Sequence, residues 1–176
     1  DDLNSSKAPI SEPNLNELIH SQLQSNQLIY SSDLNKVKDS EILWVTYDTP
    51  VDDDDKADVD FVINKIKEAL ELINKNTLVL ISSQLPVGSI NILEDYADEH
   101  FKEKDITFAC SPENLRLGNS IDVFMNPDRV IIGYREESDK EKLITLFKPI
   151  TDKIEWMSVE SSEMTKHAIN AFLATS

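Results

Sequence analysis

Residues 113 to 118 bring four kinds of chemistry into one short stretch: an acid (Glu113), an amide (Asn114), a cation (Arg116) and a glycine (Gly118). A carboxylate at the mouth of a half-buried loop is suited to take up and return a proton near neutral pH. A loop acid of this kind also commonly caps a helix N-terminus. A second pair lies near the C-terminal end. Lys166 and Asn170 are four residues apart, so in a helix they share one face, with Ile169, Phe172 and Leu173 forming the apolar stripe beside them. A cation and an amide on one helix face can be a solvated surface pair or can meet a developing negative charge.

The elements that must position these groups are legible on either side. Residues 106–110 form a short apolar run stopped by Ser111-Pro112, because proline has no ladder donor and restricts the residue before it. Pro127 does the same before the β-branched run 129–133. In an open α/β sheet, ligands bind in the loops that leave the carboxyl ends of strands, so the 111–128 segment is where a site is expected. Upstream, Leu15, Leu18, Ile19 and Leu23 recur at helical spacing after Pro13, residues 28–31 read as a short strand, and residues 33–39 read as a turn of helix. Residues 42–47 read as a fully buried strand of the kind parallel sheets require. Asp52 to Asp55 with Lys56 fail as a calcium loop, with Ala57 where the sixth-position glycine belongs and Ile63 where the final glutamate belongs, and read as a solvated acidic loop. Val59, Val62, Ile63, Ile66, Ala69, Leu70 and Ile73 predict an amphipathic helix, residues 78–82 a buried strand, 90–101 and 137–147 helices, and 154–157 a last strand before the final helix.

Composition narrows the function classes. The 176 residues suffice for one ordinary domain, and 40% hydrophobic with 28% charged residues is ordinary for a globular protein. A formal charge of −16 argues against nucleic acid or an anionic membrane as partner. No apolar run approaches the roughly 20 residues of a membrane span, and no signal-peptide pattern opens the chain. The single cysteine, Cys110, fits a reducing cytoplasm and sits in a strand as a small core side chain. His20, His100 and His167 lack metal-site spacing. The only glycines, Gly88, Gly118 and Gly133, are too scattered for G-x-G-x-x-G or a phosphate-binding loop.

The segment SPENLRLG followed by NPDRVIIG resembles the PEFLxEG…PDRxxxG signature of the nucleotide-sugar 6-dehydrogenases, the UDP-glucose/GDP-mannose dehydrogenase family. Four further blocks resemble the family in its own order: LNSSKAPISEPNL (LNxGxxPxxEPGL), DTP at 48–50 (VGTP), SQLPVGS at 83–89 (STVPVGT) and SEMTKHAINAFLA (AExxKyxxNxFLA). The resemblance implies an α/β, Rossmann-like, mostly parallel sheet with flanking helices. Residues 1–158 would be a partial N-terminal NAD-binding domain whose first strands and glycine turn lie upstream, and 159–176 the start of a long central, dimerising helix. It implies NAD-dependent oxidation of a nucleotide sugar's CH2OH to a carboxylate in a cytoplasmic homodimer, with no metal, nucleic acid or membrane.

By the same resemblance, Glu113 acts as general base and acid in hydrolysing a thioester, while Lys166 and Asn170 stabilise the oxyanion. Thr49, Pro50, Ser83 and Gln84 would touch NAD, and Asn114, Leu115, Arg116 and Leu117 the sugar. The family's nucleophilic cysteine belongs to a downstream glycine-rich motif, not to Cys110, so the chain alone is expected to be inactive. Ser6 and Asn14 replace glycines, Gln84 replaces a threonine and Leu117 an acid. These departures leave a non-catalytic α/β binding or regulatory module as the rival. A β-hydroxyacid dehydrogenase relative would share the Lys–Asn spacing but not the two central blocks.

Overall fold

Four consecutive apolar residues, Leu78 to Ile81, are all buried because β2 (Leu78–Ile81) is covered on both faces. Side chains alternate along a strand. Val79 and Ile81 enter a core shared with Val62, Ile66, Leu70, Leu93 and Phe108, while Leu78 and Leu80 meet Ala109, Ile132, Leu143 and Phe147. The computed structural model describes residues 3–51, 54, 57–113, 115 and 118–175, with the Leu173 side chain excepted. The sugar-contact candidates Asn114, Arg116 and Leu117, and most of the acidic run at 52–56, lie outside the described residues.

Among the described residues the sheet has five strands in the order β1-β2-β3-β4-β5, completed by β1 (Ile42–Val45), β3 (Thr107–Cys110), β4 (Val130–Tyr134) and β5 (Ile154–Ser158). The pairs β1–β2, β2–β3 and β4–β5 are parallel, whereas β3 and β4 are antiparallel through Ala109 opposite Tyr134 and Cys110 opposite Gly133. The first core is closed by α2 (Val59–Leu72) and α3 (Ser89–Phe101), the second by α5 (Asp139–Phe147). The helix α2 starts at Asp58, whose carboxylate accepts from Phe61 N–H at 3.0 Å, and its i, i+3, i+4 apolar stripe is the buried one. Each fully buried Leu, Ile or Phe contributes roughly 1.5–3 kcal/mol, so the doubly covered β2 and β3 anchor everything built on their ends.

Two expectations are corrected. Residues 28–31, read as a strand, join no ladder; Ile29 is 78% exposed, and the apolar run serves only as a link between α1 (Leu15–Gln24) and a short 3-10 turn at Leu34–Val37. The strand expected over 42–47 ends at Val45, and Ile42, Leu43 and Trp44 are half-buried instead of fully buried. Among the described residues β1 pairs only with β2, so it is an edge strand with thinner cover.

The last helix, α6 (Val159–Thr175), follows β5 directly and lays its first two turns on β3 and β4, with Val159, Ser162 and Glu163 buried. Gly133 permits this approach. A Cβ there would stand 2.5 Å from Ser162 Cβ, 2.8 Å from Val159 Cα and 2.9 Å from Ser158 O. Ser162 Oγ donates to the Cys110 carbonyl at 3.0 Å across the same contact.

Candidate active site

The parallel run β1–β2–β3 puts the segments that leave Val45, Ile81 and Cys110 at one end of the sheet. The reversal at β4 adds a further wall, because the antiparallel pairing sets Val130 and Arg129 beyond the carboxyl end of β3. Both ends of the 111–129 segment, which contains the short α4 (Ser120–Met125), therefore bound the same rim.

Polar contacts stitch the rim together. Trp44 Nε1–H donates to Ser82 Oγ at 2.9 Å, and Ser82 Oγ–H donates to the Ser111 carbonyl at 2.6 Å, linking the ends of β1, β2 and β3. Thr49 Oγ1–H donates to the Gln84 carbonyl at 2.8 Å and joins the first loop to the second. The third loop is held from the N-terminal region: Glu12, 9% exposed, accepts from Gly118 N–H at 2.7 Å and from Ser120 N–H at 2.5 Å. Asn119, at the start of α4, makes no side-chain cap of its own, so Glu12 supplies the acceptor that the helix start requires.

Lys166 meets Glu113 at this rim. Its ammonium donates to the Glu113 carbonyl at 2.8 Å and to Oε1 at 3.3 Å. Glu113 Oε2 accepts from Leu115 N–H at 2.6 Å, so the carboxylate organises its own turn and is not a helix cap. The Glu113 side chain is 46% exposed, against the half-buried position expected of it, while that of Lys166 is only 16% exposed. A cavity of about 370 Å³ opens beside the pair, floored by Trp44, Phe124 and Phe147 and walled by Pro127, Arg129 and Ile169. An ammonium and a carboxylate at the mouth of an apolar cavity can hold a negative charge and exchange a proton with a bound polar group.

The other sequence candidates are placed as follows. Asn170 is exposed one turn beyond Lys166. Leu115 is 41% exposed on the third loop, and Pro50 accepts from Asp58 N–H at 2.7 Å through its carbonyl. Gln84 is exposed. Ser83 Oγ is buried without a hydrogen-bond partner at the end of β2, the kind of orphaned group a ligand satisfies. Cys110 is buried, and burial pushes its thiol up to about 11, an inert state for a nucleophile. Among the described residues no cluster of three or more His, Cys, Asp or Glu could hold a metal, and no helix is long and apolar enough to cross a membrane.

Sequence reading overlooked Glu12 and Glu163. Both lie inside recognisable blocks, yet their partners are 106 and 108, and 73 and 75, residues away. Only their neighbourhood to Pro13 and Lys166 marked them.

These features define a Rossmann-like α/β domain with a cavity at the carboxyl ends of its parallel strands. Similarity to known proteins takes the assignment further. The profile of the UDP-glucose/GDP-mannose dehydrogenase family, NAD binding domain, matches residues 1–151. The UDP-glucose 6-dehydrogenase YwqF of Bacillus subtilis is 30% identical over 177 residues, spanning 99% of this chain and 40% of the relative. Among solved structures, a ternary complex of GDP-mannose dehydrogenase from Pseudomonas aeruginosa superposes with a TM-score of 0.90 at 24% identity, over 99% of this chain and 42% of that one. A UDP-glucose dehydrogenase from the archaeon Pyrobaculum islandicum gives 0.84 at 25% identity, over 98% and 41%. The chain belongs to the UDP-glucose/GDP-mannose dehydrogenase family, in the region of its NAD-binding domain, and spans about 40% of the length of the curated relatives it matches.

Proposed function

We propose that this chain supplies the NAD-facing and proton-handling part of an enzyme that oxidises the C6 hydroxymethyl of a nucleotide sugar to a carboxylate in two steps. The observation that carries the reading is the Lys166–Glu113 contact, 2.8 Å to the carbonyl and 3.3 Å to Oε1, at the carboxyl ends of three parallel strands and beside a cavity of about 370 Å³.

The residues present fit a dinucleotide in part. Ser83 Oγ is buried and unpaired at the end of β2, and Thr49 and Gln84 stand on adjoining loops joined at 2.8 Å. Thr49, Pro50, Ser83 and Gln84 would line NAD, and the sequence carries no G-x-G-x-x-G turn for its pyrophosphate. When bound, NAD supplies the hydride acceptor. The remaining work belongs to side chains. Lys166 and Asn170 stabilise negative charge on the C6 oxygen, and preorganised donors of this kind contribute most when water is excluded. Glu113 takes the proton from the water that hydrolyses the thioester and returns it to the leaving thiol, which belongs to a cysteine other than the buried Cys110. By the family resemblance, contact with the sugar falls to Leu115 together with Asn114, Arg116 and Leu117.

The test is turnover of the full-length protein with UDP-glucose and NAD, followed by NADH formation. Glu113→Gln removes the base and Lys166→Met the cation. Each is expected to cost about 10²–10⁴-fold in kcat. Unchanged turnover in both variants overturns the reading.

A further inference from the structure

We propose that Glu163 is a positioning residue, whose buried carboxylate locks the start of α3 to α6 and thereby sets Lys166 in register with Glu113 and with the 82–88 loop. The proposal rests on the dehydrogenase reading above. Glu163 is 6% exposed, yet it carries a charge into a region lined by Ile90 and Cys110. It is tolerated there because Oε2 accepts from Gly88 N–H at 2.8 Å and Oε1 from Ile90 N–H at 3.0 Å. Two charge-assisted bonds to backbone donors offset the desolvation that an unpaired buried carboxylate would suffer.

A helix start has a cheaper solution, a serine, threonine or aspartate in the N-cap position. Here that position is Gly88, at φ +92° and without a side chain. The cap is supplied instead from α6, so α3 cannot take its seat unless α6 takes its own. The same turn of α6 carries two further contacts to the rim. Ser162 Oγ–H donates to the Cys110 carbonyl at 3.0 Å, and His167 Nε2–H donates to the Leu85 carbonyl at 3.0 Å. Residues 162, 163 and 167 thus pin the axial position and rotation of the helix around Lys166, to the end of β3, the start of α3 and the 82–88 loop. Lys166 lines the cavity from this turn beside Thr165, and it is the one whose side chain donates to Glu113. Both oxygens of Glu163 are committed to backbone, so it acts on the chemistry only through the groups it places.

The experiment uses the full-length protein, with UDP-glucose and NAD as probes, and compares Glu163→Gln, Lys166→Met and the double variant. Glutamine keeps the shape but presents an amide NH2 to one of the two donors. The expected result is a fall in kcat of about 10- to 100-fold for Glu163→Gln, the effect of misplacing a catalytic group by about 1 Å. In the Lys166→Met background the same substitution should bring no further loss, because the residue it positions is gone. An equal loss in both backgrounds, or lowered thermal stability with kcat untouched, overturns the proposal. A crystal structure of Glu163→Gln gives a readout independent of activity: the Lys166 to Glu113 carbonyl contact, 2.8 Å here, is expected to open. If it remains closed, the positioning role fails. If it opens while Lys166→Met turns over normally, the dehydrogenase role of Lys166 fails and the structural coupling stands. Should Glu163→Gln not fold, Glu163→Asp, one methylene short of both donors, takes its place with the same outcomes.

Discussion

Gly133→Ala tests how the site is held to the sheet. A Cβ on Gly133 would meet Ser162 Cβ at 2.5 Å, Val159 Cα at 2.8 Å and Ser158 O at 2.9 Å. Carbon atoms attract best at about 3.5–4.0 Å, so the start of α6 must retreat by about 1 Å. Two of the three atoms are backbone, and no rotamer change relieves them. Overpacking of this kind costs about 1–3 kcal/mol, and the retreat also strains the Ser162–Cys110 hydrogen bond, worth about 1 kcal/mol. A total of about 3 kcal/mol corresponds to a fall in Tm of roughly 6–12 °C for a domain of this size. Thermal unfolding of the full-length protein, followed by circular dichroism, measures it. Adding Ser162→Gly should not restore the parent Tm, since it deletes the hydrogen bond to Cys110 along with the side-chain clash and the Val159 and Ser158 backbone contacts persist. A Gly133→Ala protein that melts within about a degree of the parent would refute the reasoning, because it would mean that α6 does not lie on β4 as closely as described.

Other consequences are open to measurement. Glu12→Gln should weaken the hold on the 113–119 loop by about 1–2 kcal/mol and speed amide exchange at Gly118 and Ser120; unchanged exchange at both would show that the carboxylate does not cap α4. Cys110, with its thiol pushed up to about 11 by burial, should resist thiol reagents at neutral pH in the folded protein and react once it unfolds, and rapid labelling of the native state would contradict its placement. Asp139 is 2% exposed, with Oδ1 accepting from Thr107 Oγ1 at 2.9 Å and Oδ2 unpaired, and burial raises its pKa from 3.8. The folded state then binds this proton more tightly than the unfolded chain does. The contribution of Asp139 to stability is therefore greatest below pH 3.8 and declines as pH rises towards the raised folded value. Asp139→Asn should flatten the pH dependence of denaturant unfolding in that window; an unaltered slope would contradict the burial argument.

Much of the scaffold was legible because burial leaves a local trace. The doubly covered β2 shows as an unbroken apolar run, α2 shows its stripe at helical spacing, and Pro112 and Pro127 mark where β3 ends and β4 is about to begin. Direction leaves no such trace. Val130 to Tyr134 is as β-branched and apolar as a parallel strand would be, and only the contact with Ala109 and Cys110 shows that it runs the other way. The run 28–31 has the same look and forms no strand: Ile29 is 78% exposed, and among the described residues the run joins no ladder. Periodicity reports that a residue is covered, not by what.

The acids make the point most sharply. Thirty-three acidic residues give the chain its charge of −16, and sequence alone treats nearly all of them as solvated surface. Burying a carboxylate is unfavourable unless donors await it; Asp139 meets one hydroxyl, that of Thr107, whereas Glu12 and Glu163 each meet a pair of backbone N–H groups. Helix starts are where such pairs occur. The start of α3 at Gly88 and that of α4 at Asn119 both lack caps of their own, and Glu163 and Glu12 fill them from 73 to 108 residues away. A local cap would have stabilised each helix equally well. A remote one ties the start of α3 to α6 and the start of α4 to the N-terminal segment, so two of the segments bordering the Lys166–Glu113 contact are held by parts of the chain far away in sequence.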